Sequence, residues 1–170
     1  DVLNKNDVKA TFFLCNNYIK SDPELMKNLV EHGHSVGNHT HNHETMANYA
    51  NEENFDTYLQ EIKDVEDTFL EITGHPLDKV YREPRGEWSY RSLQIMKDLG
   101  YRSYFWSAAY NDFSGDLSKE EALSKLLAQK HNGAIYLIHP TNKGNYEAMD
   151  DFIKTLKEEG YTFGLVKDIS

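Results

Sequence analysis

The sequence predicts an α/β fold of parallel strands alternating with helices. Three observations carry this. Short apolar runs recur along the chain, amphipathic stretches with recognisable caps separate them, and no Pro/Ser-rich linker or internal repeat interrupts the alternation. The alternation allows a barrel or a doubly wound sheet.

Each element has its own signal. "VKATFFL", Val8 to Leu14, reads as a buried strand. In "SDPELMKNLVEHG", Asp22 is the N-cap, Pro23 takes the first helical position and Gly33 lies just past the end. "HSVGN" is a short second strand. Phe55, Leu59, Ile62, Phe69 and Ile72 mark one face of a long helix that stops at Gly74. "KVYRE" is a third strand, and Ser89 to Leu99 a helix closed by Gly100. "YRSYFWS" is a fourth strand. "SKEEALSKLLAQ" opens with the capping-box pair Ser118 and Glu121. "GAIYLIH" is a fifth strand, Tyr146 to Glu159 a helix ending at Gly160, and "YTFGLV" a sixth strand. "DVLNKNDV" reads as the tail of a helix feeding the first strand, and a further strand is expected upstream of Asp1. The chain is therefore read as one domain over residues 1–170, a fragment of a larger (β/α) barrel-like domain.

Composition narrows the function. At 170 residues, with 27% charged and 12% aromatic residues, the chain suits one globular domain. The apolar runs fall far short of the roughly 20 residues that span a bilayer. Net charge is −10, with no dense Lys/Arg cluster, which argues against nucleic acid and anionic membranes as partners. The single Cys15 sits in an apolar run and reads as a small core residue.

The chemistry concentrates where strands end. His39 and His43 follow "HSVGN" and stand four apart, so they share a face if that segment is helical. Neutral imidazole is a common zinc ligand. Thr40 would order the turn by bonding backbone, and His41 would point away. Arg82 and the "EPRG" turn follow "KVY". Trp106 closes "YRSYFW", Asp112 lies six residues on, and His139 follows "IYLI". In a parallel barrel the carboxyl ends of the strands share one rim, where catalytic groups collect. A catalytic zinc takes three protein ligands, and only two stand out here. Asp112 and His139 are candidates for the third, but both suit acid–base work better.

"VKATFFL", "GHSVGNHTHNH", "YREPRG", "YFWSAAYNDF" and "YLIHP" resemble, in order and spacing, the polysaccharide deacetylases, the NodB-homology domain of carbohydrate esterase family four. The likeness covers nearly the whole chain. His39, Thr40 and His43 match its His-(Ser/Thr)-x-x-His motif. "RGEWS" and the segment from His139 to Tyr161 look most like the delta-lactam-biosynthetic de-N-acetylases, which deacetylate muramic acid in spore-former peptidoglycan. The family's Thr-Phe-Asp-Asp motif, carrying the general base and the third metal ligand, has no match and is expected upstream of Asp1. Without it the chain as given would lack both carboxylates. Glu83 stands where Pro is frequent, and Phe113 where Trp is common.

The resemblance implies a distorted (β/α) barrel of the NodB-homology type, without its N-terminal strand in this chain. It implies metal-dependent hydrolysis of N-acetyl groups on a cell-wall glycan outside the membrane, with peptidoglycan N-acetylmuramic acid as substrate. A divalent metal, zinc, would be held by His39 and His43. The Arg85 N–H would stabilise the oxyanion, and the Arg85 side chain would bind the lactyl carboxylate. His139 would protonate the leaving amine, Asp112 would orient His139, Arg82 would pair with the catalytic Asp, and Trp106 would wall the pocket. The other readings are a deacetylase of chitin-type or another acetylated glycan, a non-catalytic glycan-binding module on the same scaffold, and a structural zinc site.

Overall fold

The structure is a computed structural model that describes residues 1–115 and 117–169. In chain order the elements are α1 (Val2–Lys5), β1 (Thr11–Leu14), α2 (Asn16–Ser21), α3 (Pro23–Glu31), β2 (Ser35–Asn38), α4 (Phe55–Thr73), β3 (Val80–Tyr81), α5 (Tyr90–Asp98), β4 (Arg102–Ser103), α6 (Lys119–Ala128) and α7 (Lys143–Glu158). Single 3₁₀ turns cover Met46–Asn48, Pro84–Gly86 and Val166–Asp168. No helix among the described residues is long and apolar enough to cross a membrane. The chain divides into two compact units, one of residues 1–8 and 106–164 and the other of 9–105 and 165–170.

The larger unit holds the sheet. Its four strands are all parallel, in the order β1-β2-β3-β4. β2 is buried throughout, whereas β1 is half-buried and β4 partly exposed. The register aligns Leu14 with Asn38, Asn38 with Tyr81, and Tyr81 with Ser103. Residues that follow the strands, Cys15, His39 and Arg82, therefore emerge together at the carboxyl edge. A Cβ on Gly37 would lie 2.6 Å from the Val80 carbonyl oxygen, so only glycine lets β2 and β3 approach this closely.

Two apolar clusters anchor the helices of this unit. Ile19, Met26, Leu29, Val36, Val65, Phe69 and Leu77 join α2, α3 and α4 to β2. Tyr58, Ile62, Tyr81, Ile95, Met96 and Tyr101 join α4 and α5 to the other end of the sheet. The predicted caps are in place. Asp22 accepts from the Leu25 N–H at 3.0 Å. Gly74 closes α4 in the left-handed conformation (φ 73°), where a Cβ would strain the backbone. The short helix α2 escapes the sequence reading, because six residues show no periodicity to detect.

In the smaller unit α6 packs on α7, with Ala122, Leu126, Ala148, Phe152 and Leu156 as its core. Ser118 and Glu121 form the expected capping box. α7 begins three residues earlier than its apolar pattern suggests, because Asn142 takes the N-cap role and its side chain accepts from Asn145 N–H.

Two predicted strands are not strands. "GAIYLIH" carries one isolated parallel bridge, Ala108 with Tyr136, and "YTFGLV" has no ladder among the described residues. Their apolar side chains are used otherwise. Tyr136, Ile138, Tyr161 and Phe163 pack against the α6–α7 core. Burial accounts for the pattern that alternation alone would assign to a ladder.

Candidate active site

The sheet edge of the larger unit gathers His39, His43 and Arg82. His39 follows the last residue of β2 and is buried. Its Nδ1–H donates to the Arg82 carbonyl at 2.7 Å. The Arg82 guanidinium can only donate, so its Nη2, 3.1 Å from His39 Nε2, fixes that nitrogen as the acceptor. The ring is thus a neutral imidazole whose Nδ1–H is held by a backbone carbonyl, as in a metal-ligating histidine, while its Nε2 lone pair accepts from Arg82, a bond that a metal would displace. The guanidinium of Arg82 also lies 5.3 Å from the centre of the Phe13 ring.

His43 joins the cluster edge to face, its ring centroid 4.8 Å from that of His39. The pair does not depend on a helix, as the i, i+4 spacing suggested. Residues 39–44 form a loop in which Thr40 (φ 69°) and His43 (φ 61°) take the left-handed conformation. The buried Asn38 amide orders this loop. Its Oδ1 accepts from Thr40 N–H at 2.9 Å, and its Nδ2 donates to the Ile62 carbonyl at 2.8 Å. The Thr40 hydroxyl, expected to do this, is buried with no partner among the described residues. His41 points away as expected, with Nδ1 3.0 Å from Asp64. Cys15 lies beneath, its thiol donating to the His39 carbonyl at 3.1 Å, and burial pushes that thiol up to about 11.

Two imidazoles are donors that suit zinc. Among the described residues no group of three His, Cys, Asp or Glu side chains that could hold a metal ion stands together.

The turn after β3 carries Arg85, exposed and left-handed (φ 59°, ψ 1°) between Pro84 and Gly86. The turn is closed by Gly86 N–H on the Glu83 carbonyl at 3.1 Å and Glu87 N–H on the Pro84 carbonyl at 3.2 Å. Thr45 Oγ1 donates to Glu87 Oε2 at 3.1 Å, tying the turn to the loop of His43.

The smaller unit brings His139 and Asp112 together. Asp112 is 1% exposed, and its Oδ1 accepts from His139 Nδ1–H at 2.6 Å. Its Oδ2 accepts from the His139 N–H and from Asn145 Nδ2, each at 2.7 Å. The imidazole is held by Nδ1 and leaves Nε2 outward, with the side chain one-third exposed. Phe113 stands edge-on to it at 5.7 Å. Asn142 Nδ2 donates to the Asp112 carbonyl at 3.1 Å, and Asn145 also donates to the His139 carbonyl at 3.1 Å. Neither asparagine stands out in the sequence. The available signal was Asn142 at an N-cap position, three residues before Asn145. Trp106 is half-buried at the start of this stretch.

The polysaccharide deacetylase family profile matches residues 1–104. Over 99% of its length the chain is 36% identical to the peptidoglycan-N-acetylmuramic acid deacetylase PdaA of Bacillus subtilis, and it spans 64% of that protein. The structure of Bacillus subtilis PdaA, a family 4 carbohydrate esterase, superposes with a TM-score of 0.92 at 37% identity, covering 99% of this chain and 71% of that one. A Bacillus anthracis protein described as a family 4 pseudoenzyme superposes at 0.86 with 26% identity, over 98% of this chain and 57% of its own. The chain belongs to the polysaccharide deacetylase family.

Proposed function

We propose that this chain carries the catalytic groups of a metal-dependent hydrolase that removes N-acetyl groups from a cell-wall glycan, N-acetylmuramic acid of peptidoglycan being the substrate. The observation that carries the reading is the pair of ordered imidazoles, each held by Nδ1. His39 is fixed by a backbone carbonyl and His139 by a buried carboxylate. His39 and His43 would hold the metal. A divalent ion such as zinc, when bound, supplies polarisation of the acetyl carbonyl and a water of lowered pKa.

The chain's own residues supply the oxyanion donor, the acid and the group that orients it. The Arg85 N–H, on its left-handed turn, donates to the oxyanion that develops on the carbonyl. His139, protonated at Nε2, gives its proton to the leaving nitrogen, which departs poorly as an anion. Asp112 keeps that ring aimed. It already accepts three hydrogen bonds, so Asp112 is not the base that deprotonates water. The exposed Arg85 guanidinium would take the lactyl carboxylate of muramic acid through its planar fork. The substrate and its chemistry place the activity outside the cell membrane, at the wall.

Two measurements test this. Calorimetric zinc titration should show binding weakened at least about 100-fold in His39→Ala or His43→Ala, with His139→Ala unchanged. Acetate release should fall about 10²- to 10⁴-fold in His139→Ala. Full turnover in that variant removes His139 from the acid role. Equal turnover on muramic acid and N-acetylglucosamine oligomers favours a broader glycan deacetylase. A second reading is a glycan-binding module without hydrolysis. The likeness to a solved family 4 pseudoenzyme supports it, and glycan binding with no acetate released at saturating zinc would establish it.

A further inference from the structure

Trp88, Tyr90 and Phe105 form an aromatic cluster at the surface of the larger unit. The Trp88 ring lies 5.5 Å from that of Tyr90 and 6.3 Å from that of Phe105, both edge-on. Trp88 is 48% exposed and Tyr90 87%. Single exposed aromatics need no explanation, but a cluster held open to water does. The backbone beneath is rigid. Ser89 caps α5 through a reciprocal pair of hydrogen bonds with Ser92, at 2.9 and 3.0 Å. Tyr90 is the first residue of α5, and Glu87 is bonded to Thr45, two residues after His43. Trp88 and Tyr90 thus follow closely on the Arg85 turn, and Glu87 beside them is joined by one hydrogen bond to the histidine loop.

We propose that Trp88 and Tyr90 are a carbohydrate subsite that stacks a pyranose ring of the glycan strand. This rests on the deacetylase reading and names a place where the same strand is gripped. A pyranose chair presents axial C–H bonds on one face, polarised positive, and an indole or phenol ring presents a negative face. The equatorial hydroxyl and N-acetyl groups of the sugar project sideways and need polar partners. Arg85, Glu87 and Arg91, exposed and within three residues of Trp88 in the chain, are the candidates to supply them. Three rings rimmed by charge match one or two sugars. They offer too little continuous apolar area for a stable protein partner, whose interface would bury about 800 Å² on each side.

The test titrates the full chain with peptide-free strands of alternating N-acetylglucosamine and N-acetylmuramic acid, read by NMR at the Trp88 indole N–H in the wild type and by calorimetry in the wild type and every variant. A saturable shift of that resonance is expected. The double variant Trp88→Ala/Tyr90→Ala should bind about tenfold more weakly, about 1.4 kcal/mol. Trp88→Phe, which keeps a ring, should recover most of the affinity. Circular dichroism superimposable on the wild type shows that the fold is intact, and if the double variant unfolds the single variant Tyr90→Ala, at an exposed position, carries the comparison with a several-fold weaker affinity expected. An unmoved Trp88 resonance, wild-type affinity in the double variant, or a preference for free stem peptides over glycan overturns the subsite. Acetate release separates the two ideas. A raised KM with kcat kept in the double variant supports the subsite, and an unchanged KM overturns it while the deacetylase stands. Glycan binding that depends on Trp88, with no acetate released by the wild type, leaves the subsite standing and removes the deacetylase.

Discussion

Thr40, His43 and Arg85 all hold a positive φ without being glycine, and all three lie in loops leading from the carboxyl edge of one sheet. Such a backbone costs of order 1–3 kcal/mol per residue, most for a β-branched one like Thr40, and persists only where surrounding contacts over-determine it. For Arg85 the conformation can be separated from the side chain. In Arg85→Gly the strain disappears, but the unfolded chain gains freedom, so stability should change by less than about 1 kcal/mol. The backbone N–H remains, so kcat should hold while KM for a muramic acid substrate rises about tenfold with loss of the planar fork. Steady-state kinetics with a urea titration check both. A collapse of kcat at constant KM would show that the guanidinium acts in the chemical step. At this scale His39 and Arg82 are legible because each directly follows a strand, and His139 because it closes an apolar run, with Asp112 as its partner. Asn38 and Asn145 are not legible. An asparagine in a loop looks like any turn former until the fold shows what its amide reaches.

The helices can be read because their signals are local. Asp22, Gly74, Ser89 and Ser118 each mark a boundary within a few residues of where it forms. The strands are less legible because a ladder is a property of two distant segments. β3 and β4 keep two residues each of the longer apolar runs that announced them, and the last two runs keep none or a single bridge. The start of α7 shows what an element end can add to a site. Asn142 caps the helix while donating to the Asp112 carbonyl, and Asn145 donates to Asp112 Oδ2 and the His139 carbonyl. Gly144 lets this end approach the chain before α6, since a Cβ there would lie 2.4 Å from the Leu117 carbonyl oxygen. Asn145→Ala should cost about 1–3 kcal/mol of stability by leaving buried groups unpaired. It should also lower kcat by loosening Asp112, with zinc affinity unchanged. Urea unfolding and zinc titration measure these separately. An unaltered kcat with the stability loss present would reduce Asn145 to a structural role.

Across the whole molecule the chain carries a net charge of −10, so raising the pH from the acid range adds self-repulsion to every compact state. One buried group adds a term that can be isolated. Glu83 is 1% exposed between Arg82 and Pro84, and its Oε2 accepts from Tyr81 OH at 2.9 Å. Burial pushes its carboxyl above the ordinary range, against hydrogen bonds from Tyr81 and Ser92 that pull it down. In the fold this group keeps its proton at pH values where the unfolded chain has released it. Its contribution to stability is therefore complete below the ordinary carboxylate value of 4.5 and is lost as pH rises through the raised folded value. Glu83→Gln carries no titrating group and accepts the same Tyr81 hydrogen bond. The urea midpoint of the wild type relative to this variant should be highest near pH 4 and decline steadily toward pH 7. The other acidic groups titrate alike in both proteins, so they cancel in the difference. A difference that stays flat across that range would show that Glu83 is ionised in the fold. The oxygen on the turn before Arg85 would then be a paired carboxylate, and the environment of that turn polar instead of apolar.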